Sequence, residues 1–118
     1  MKFSFENLNV WNRSMDIAEE IYEMIKKFPD QEKFNLSSQI LRASDSIALN
    51  ISEGTIRTSK LEFKRFIGYS IRSLAEVVTC LHKARRRCYI DADQFDKLYT
   101  ECYHLMNMLI AFQHHKSK

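Results

Sequence analysis

The sequence predicts an all-α protein, an antiparallel up-down-up-down four-helix bundle filling residues 1–118 as a single domain. Three observations carry that expectation. The chain holds only 2 glycines and 1 proline, where average usage of about 7% and about 5% would give several of each. Strands and tight turns depend on those residues, so sandwiches, barrels and doubly wound sheets are disfavoured. Four segments repeat apolar residues at spacings of three and four, the helical period. The breaks between them are short, which favours antiparallel neighbours.

The first helix is expected over about residues 9–28, ending before Pro29, because the residue ahead of a proline avoids the helical region. Its core stripe reads Trp11, Met15, Ala18, Ile21, Tyr22, Ile25 and Phe28. A second stripe, Val10, Ile17 and Met24, makes the apolar face wider than the roughly 100° that one helix of a small bundle needs. Either the helix is deeply wedged or the extra stripe meets another subunit, so Val10, Ile17 and Met24 are the interface candidates. The second helix is expected over about 35–53, from Asn35 as N-cap to Gly54 as terminator. Beside its core stripe of Leu36, Ile40, Ala43, Ile47 and Ile51 runs a polar stripe of Gln39, Arg42, Ser46, Asn50 and Glu53. Arg42 and Glu53 stand too far apart to pair within the helix. The stripe is therefore read as a polar network reaching a neighbouring helix or subunit and fixing register.

A capping box, Ser59-x-x-Glu62, opens the third helix, expected over about 59–88. Its stripe is Phe63, Phe66, Ile67, Leu74, Val77, Val78, Leu81 and Ala84. A second box, Asp91-x-x-Gln94, opens the fourth, expected over about 91–113, where Phe95, Leu98, Tyr99, Cys102, Leu105, Met106, Leu109 and Phe112 repeat most cleanly.

Several function classes are disfavoured. Gly54 and Gly68 are too few and too far apart for a Gly-rich phosphate loop. Cys80, Cys88 and Cys102 show no C-x-x-C spacing, which fits free thiols in a reducing cytoplasm. No apolar run approaches 18 residues, and Glu6 interrupts the place where a signal peptide needs its apolar stretch, so a cytoplasmic protein without membrane contact is expected. One Glu-x-x-His pair, Glu101 and His104, matches half of a di-iron motif; a second pair is lacking and this one lies beside the core stripe. Cys102 reads as a core residue, and Cys88 ends a helix, where the dipole disfavours a thiolate. No metal, no cofactor, no catalytic residue and no enzymatic activity are expected.

Charge distribution carries the functional signal. Net charge is only +3. Between Arg57 and Arg87, however, nine cations stand against two carboxylates, a net +7, while the rest of the chain sets nine against thirteen, a net −4. At about 100° per residue, Arg65, Arg72, Lys83, Arg86 and Arg87 share one sector opposite the core stripe. Such a stripe is the footprint of phosphate contact. It also fits a merely solvated face, or docking to an acidic surface such as Asp16, Glu19, Glu20 and Glu23 on the first helix of another copy. Tyr69 and Tyr89 are the aromatics near it, too few to predict base stacking. The expected function is phosphate-led nucleic-acid binding with weak sequence selectivity. The alternative is a structural or protein-interaction module docking an acidic partner.

The motifs resemble a known family. Leu8-x-Val10-Trp11, Phe28-Pro29-x-x-Glu32 and Leu36-x-x-Gln39 are followed by Arg42-Ala43-Ser44-x-Ser46-Ile47-x-x-Asn50-Ile51-x-Glu53-Gly54. With Glu62-Phe63-x-x-Phe66 and Ser73-Leu74-x-Glu76, these look like the bacterial four-helix-bundle family encoded in 23S ribosomal RNA intervening sequences. Leu41 departs from the pattern, which usually has an arginine there. The resemblance implies a small cytoplasmic bundle with no established enzymatic activity. It further implies similarity to the accessory protein of diversity-generating retroelements, a basic homopentameric barrel that binds nucleic acid and a reverse transcriptase. A homo-oligomer, a pentamer by this resemblance, is therefore expected.

Overall fold

The structure is a computed structural model that describes residues 1–116. Four helices, α1 (Asn9–Ile25), α2 (Leu36–Thr55), α3 (Lys60–Arg86) and α4 (Ala92–Lys116), account for most of them, and no strand occurs among the described residues. Single 3₁₀ turns at Ser4–Asn7 and Asp30–Glu32 precede α1 and α2. Helix α3 packs on α2 and α4, and α1 packs on α2 and α4 in turn, closing a ring of four. Paired residues place the start of one helix against the end of the next. The Trp11 indole N–H donates to Ser52 Oγ at 3.0 Å, and the Gln113 amide donates to the Lys64 carbonyl at 2.9 Å. The body measures 44 × 26 × 23 Å.

One apolar core runs the length of this body, centred on Ile17, Ile21, Ile40, Ile47, Ile51, Ile67, Leu74, Leu81, Leu98, Leu105 and Leu109. It corrects the reading of α1. Val10, Ile17 and Met24, expected at a subunit interface, are 5%, 2% and 4% exposed within the single chain. With Ser14, Ile21 and Phe28 they form the centre of the buried face, so no second chain can reach them. Met15 and Tyr22, expected in the core, stand outside it. Trp11 and Ile25 pack half-buried at its edge. The buried arc is wide because α1 touches two helices, and its middle falls on the stripe that the spacing placed at one side.

Helix ends follow the sequence with one exchange of roles. Ser59 Oγ accepts the Glu62 amide at 3.3 Å, and Asp91 Oδ1 accepts the Gln94 amide at 2.8 Å. Asn35 caps nothing with its side chain. Glu32 instead reaches the start of α2, its Oε1 accepting the Leu36 amide at 3.3 Å. Gly54 does not end α2, which continues to Thr55. It lies where α2 and α3 approach closely: a Cβ there would stand 3.2 Å from Phe66 Cβ and 3.3 Å from Ile67 Cδ1.

Candidate nucleic-acid interface

Helix α3 buries Phe63, Ile67, Leu74, Val77 and Leu81 along one side, which fixes its rotation about its own axis. The same rotation turns Arg65, Arg72, Lys83, Arg86 and Arg87 outward, and all five are exposed. At 1.5 Å rise per residue they span about 30 Å of rigid rod. Arg87 is the C-cap residue of the helix.

The structure does not leave these cations equivalent. Of the nine between Arg57 and Arg87, three enter ion pairs. Arg57 meets Glu53 at 2.9 Å, Arg65 meets Glu62 at 2.9 Å, and Arg87 meets Glu32 at 2.9 Å. Lys60, Lys64, Arg72, Lys83, Arg85 and Arg86 have no carboxylate partner among the described residues. Arg72 lies over the Tyr69 ring, 5.6 Å from its centroid. Exposed Glu76 is four residues beyond Arg72 and seven before Lys83, so it sits on the stripe between them. The face is thus two basic patches with a carboxylate in the gap.

The Arg87 pair is anchored on Glu32, the one charged side chain buried among the described residues. Glu32, 5% exposed, accepts from Arg87 at 2.9 Å and from the Tyr89 hydroxyl at 2.7 Å through Oε2. Its Oε1 accepts from the Asn35 amide at 3.1 Å, besides the Leu36 N–H. The Tyr89 hydrogen bond is the main cause holding this carboxyl below its usual range, with the Leu36 amide and Arg87 adding to it against burial. One guanidinium N–H of Arg87 is therefore engaged in joining the α1–α2 loop to the end of α3.

The polar stripe of α2 is mostly local. Ser46 alone crosses to α3, hydrogen-bonded to Ser73. Asn50 donates to the Ser46 carbonyl at 2.8 Å and Arg42 to the Ser38 carbonyl at 3.4 Å, both within α2. Glu53 pairs with Arg57, one turn on. No hydrogen bond ties Gln39's side chain to another helix among the described residues. The expected inter-helix network of Gln39, Arg42, Ser46, Asn50 and Glu53 thus reduces to one bond. The second α2–α3 link is Ser70 Oγ donating to the Ile47 carbonyl at 2.8 Å, which the sequence reading missed.

The acidic face of α1 is also partly engaged. Glu20 meets Lys97 at 2.7 Å and Glu23 meets Lys26 at 2.8 Å. These residues line a groove of about 670 Å³ between α1 and α4, away from the basic stripe. The Glu101 carboxylate is held by Lys97 at 3.1 Å. No group of three or more His, Cys, Asp or Glu side chains able to hold a metal ion occurs among the described residues. None of the helices, so far as described, is long and apolar enough to cross a membrane.

The family model for the 23S rRNA-intervening sequence protein matches residues 6–111. The chain belongs to this family. A solved structure of a protein of unknown function from the S23 ribosomal protein family of Bacteroides thetaiotaomicron is similar, with a TM-score of 0.81 at 26% identity. The match covers 88% of this chain and 94% of that one. No curated protein matches. The segment from Arg42 to Gly54 lies on α2 and meets α3 at Ser46, Ile47 and Gly54. The Phe28-Pro29-x-x-Glu32 segment supplies the carboxylate that joins loop to helix end.

Proposed function

We propose that this chain is a non-enzymatic, homo-oligomeric protein of the cytoplasm that binds nucleic acid through the outer face of α3, with little sequence selectivity. The helices run in antiparallel up-down-up-down order within each subunit, as the pairing of helix ends with helix starts supports. The carrying observation is the set of α3 cations without a carboxylate partner. Arg72, Lys83 and Arg86 share the stripe opposite the core, held in line by one stiff helix. Long, exposed cations on a rod suit phosphates, which position without reading sequence. The family name points to ribosomal RNA as the first nucleic acid to try.

Oligomerisation is part of the proposal, a pentamer by the resemblance to the retroelement accessory protein, which binds nucleic acid and a reverse transcriptase. Repetition of the stripe around a ring multiplies phosphate contacts and raises avidity without a new kind of contact. With Val10, Ile17 and Met24 inside the core, the apolar residues free to meet another subunit from α1 and α2 are Met15, Tyr22 and Leu49, which are 41%, 48% and 64% exposed.

The test is affinity for a 23S rRNA fragment and for duplex DNA, comparing the natural chain with Arg72→Gln/Lys83→Gln/Arg86→Gln. These substitutions leave every ion pair intact, including the Arg87–Glu32 pair. The variant should keep its helicity and lose affinity for both ligands. Equal affinity of variant and natural chain would remove α3 as the binding face. Absence of binding to either nucleic acid at low salt would overturn the nucleic-acid reading and leave the face solvated or docking an acidic protein partner.

A further inference from the structure

The aromatic content of the basic face is greater than spacing alone suggested. Phe66, read as part of the core stripe, is half-buried and lies outside the buried core, and so does half-buried Tyr69. Their rings meet edge to face, with centroids 5.3 Å apart at 77°. Arg57 lies over the Phe66 ring at 4.6 Å and Arg72 over the Tyr69 ring at 5.6 Å. The result is a continuous row, Arg57–Phe66–Tyr69–Arg72, crossing from the end of α2 onto α3. Tyr69 also stands one turn from Arg65 on the same face, so arginines flank it on both sides. The Tyr69 hydroxyl has no hydrogen-bond partner among the described residues.

From this juxtaposition we propose that the α2–α3 end of the basic face binds single-stranded nucleic acid in preference to duplex, stacking unpaired bases on the Phe66–Tyr69–arginine row. This deepens the reading of α3 as a phosphate-binding face and rests on it. Bases in a duplex keep their flat faces covered by their neighbours, whereas an unpaired strand exposes them to rings and guanidinium planes. Arginine serves both parts of such a ligand, its planar group stacking while its N–H groups reach phosphate. Two rings without a core role beside unpaired Arg72 supply the flat surface, and Lys83 and Arg86 continue the backbone track along α3. Stacking of this kind accepts any base, in keeping with weak sequence selectivity.

The experiment compares three labelled probes of about 16 nucleotides, the upper site size for one stacking module. They are oligo(dT), an abasic deoxyribose-phosphate oligomer of equal length, and a DNA duplex. Oligo(dT) and the abasic strand carry the same phosphates and differ in bases alone. The natural chain should bind oligo(dT) about tenfold or more tighter than the abasic strand, and tighter than the duplex. Phe66→Leu/Tyr69→Leu, which keeps apolar bulk against Gly54, should bind oligo(dT) and the abasic strand alike, with helicity unchanged. Equal binding of both strands by the natural chain overturns base stacking and leaves the phosphate reading standing. Binding of none of the three probes at low salt overturns both.

Discussion

A carboxylate withdrawn from water must gain partners, and Glu32 gains four: the Leu36 amide, Asn35, Arg87 and Tyr89. Its folded pKa lies below the ordinary 4.5. A depressed carboxyl stabilises the fold above its unfolded value and loses that contribution as pH falls through the folded value. The thermal midpoint should therefore hold at neutral pH and decline once pH drops below about 4.5. Glu32→Gln should melt lower at pH 7 and show a shallower acid decline; parallel curves for the two proteins would contradict this role. The thiols make a second residue-level test. Burial pushes Cys102 up to about 12, with Glu101 and Glu20 adding to the shift, and burial also raises Cys80. Cys88 is exposed. A thiol reagent at neutral pH should modify Cys88 promptly, and Cys80 and Cys102 only after denaturation, since thiolate and access both govern the rate. Prompt reaction of all three would mean that the core is open.

At the scale of elements, period was legible and orientation less so. Four helices and most of the α2, α3 and α4 core positions follow from spacings of three and four, because burial of one side is what imposes that spacing. Ser59 and Asp91 act as the N-caps their motifs predict. Helix α1 shows where this reasoning stops. Two adjacent stripes fit the period equally well, and only the placing of α2 and α4 on either side decides that Val10, Ile17 and Met24 lie in the middle while Met15 and Tyr22 lie outside. Ile17→Ala should therefore cost about 2–5 kcal/mol in urea unfolding, as a buried truncation does; a negligible loss would restore Ile17 to the surface. Gly54 was legible as special but not as a close-approach residue, because the demand comes from Phe66 and Ile67 on another helix. Gly54→Val should destabilise by about 1–3 kcal/mol through overpacking, measured in the same way. The ion pair of Glu32 with Arg87 could not be read from the chain either, its partners lying 55 residues apart.

For the whole molecule, the legible part of the site is the sign and side of its charge. Exposed positions of a long helix inherit the helical period, so Arg65, Arg72, Lys83 and Arg86 could be placed on one face before any tertiary contact was known. Glu53–Arg57 and Glu62–Arg65 stand at helical spacings of four and three that the chain displays, whereas the neutralisation of Arg87 depends on where Glu32 comes to rest in the fold. The proposed oligomer, if it uses exposed Met15, Tyr22 and Leu49, should fall apart in Met15→Glu/Leu49→Glu, which should then sediment as the 14.0 kDa chain. A natural chain that already sediments at that mass would contradict the oligomer. The central claim, phosphate-led binding by α3, is tested most directly by one salt titration of affinity for duplex DNA. Each phosphate contact releases counterions, so log affinity should fall linearly with log salt, by about 0.9 for every contact. The natural chain should show a slope worth several contacts and Arg72→Gln/Lys83→Gln/Arg86→Gln a flatter one. Affinity that does not change with salt, or an equal slope for the two proteins, would contradict it.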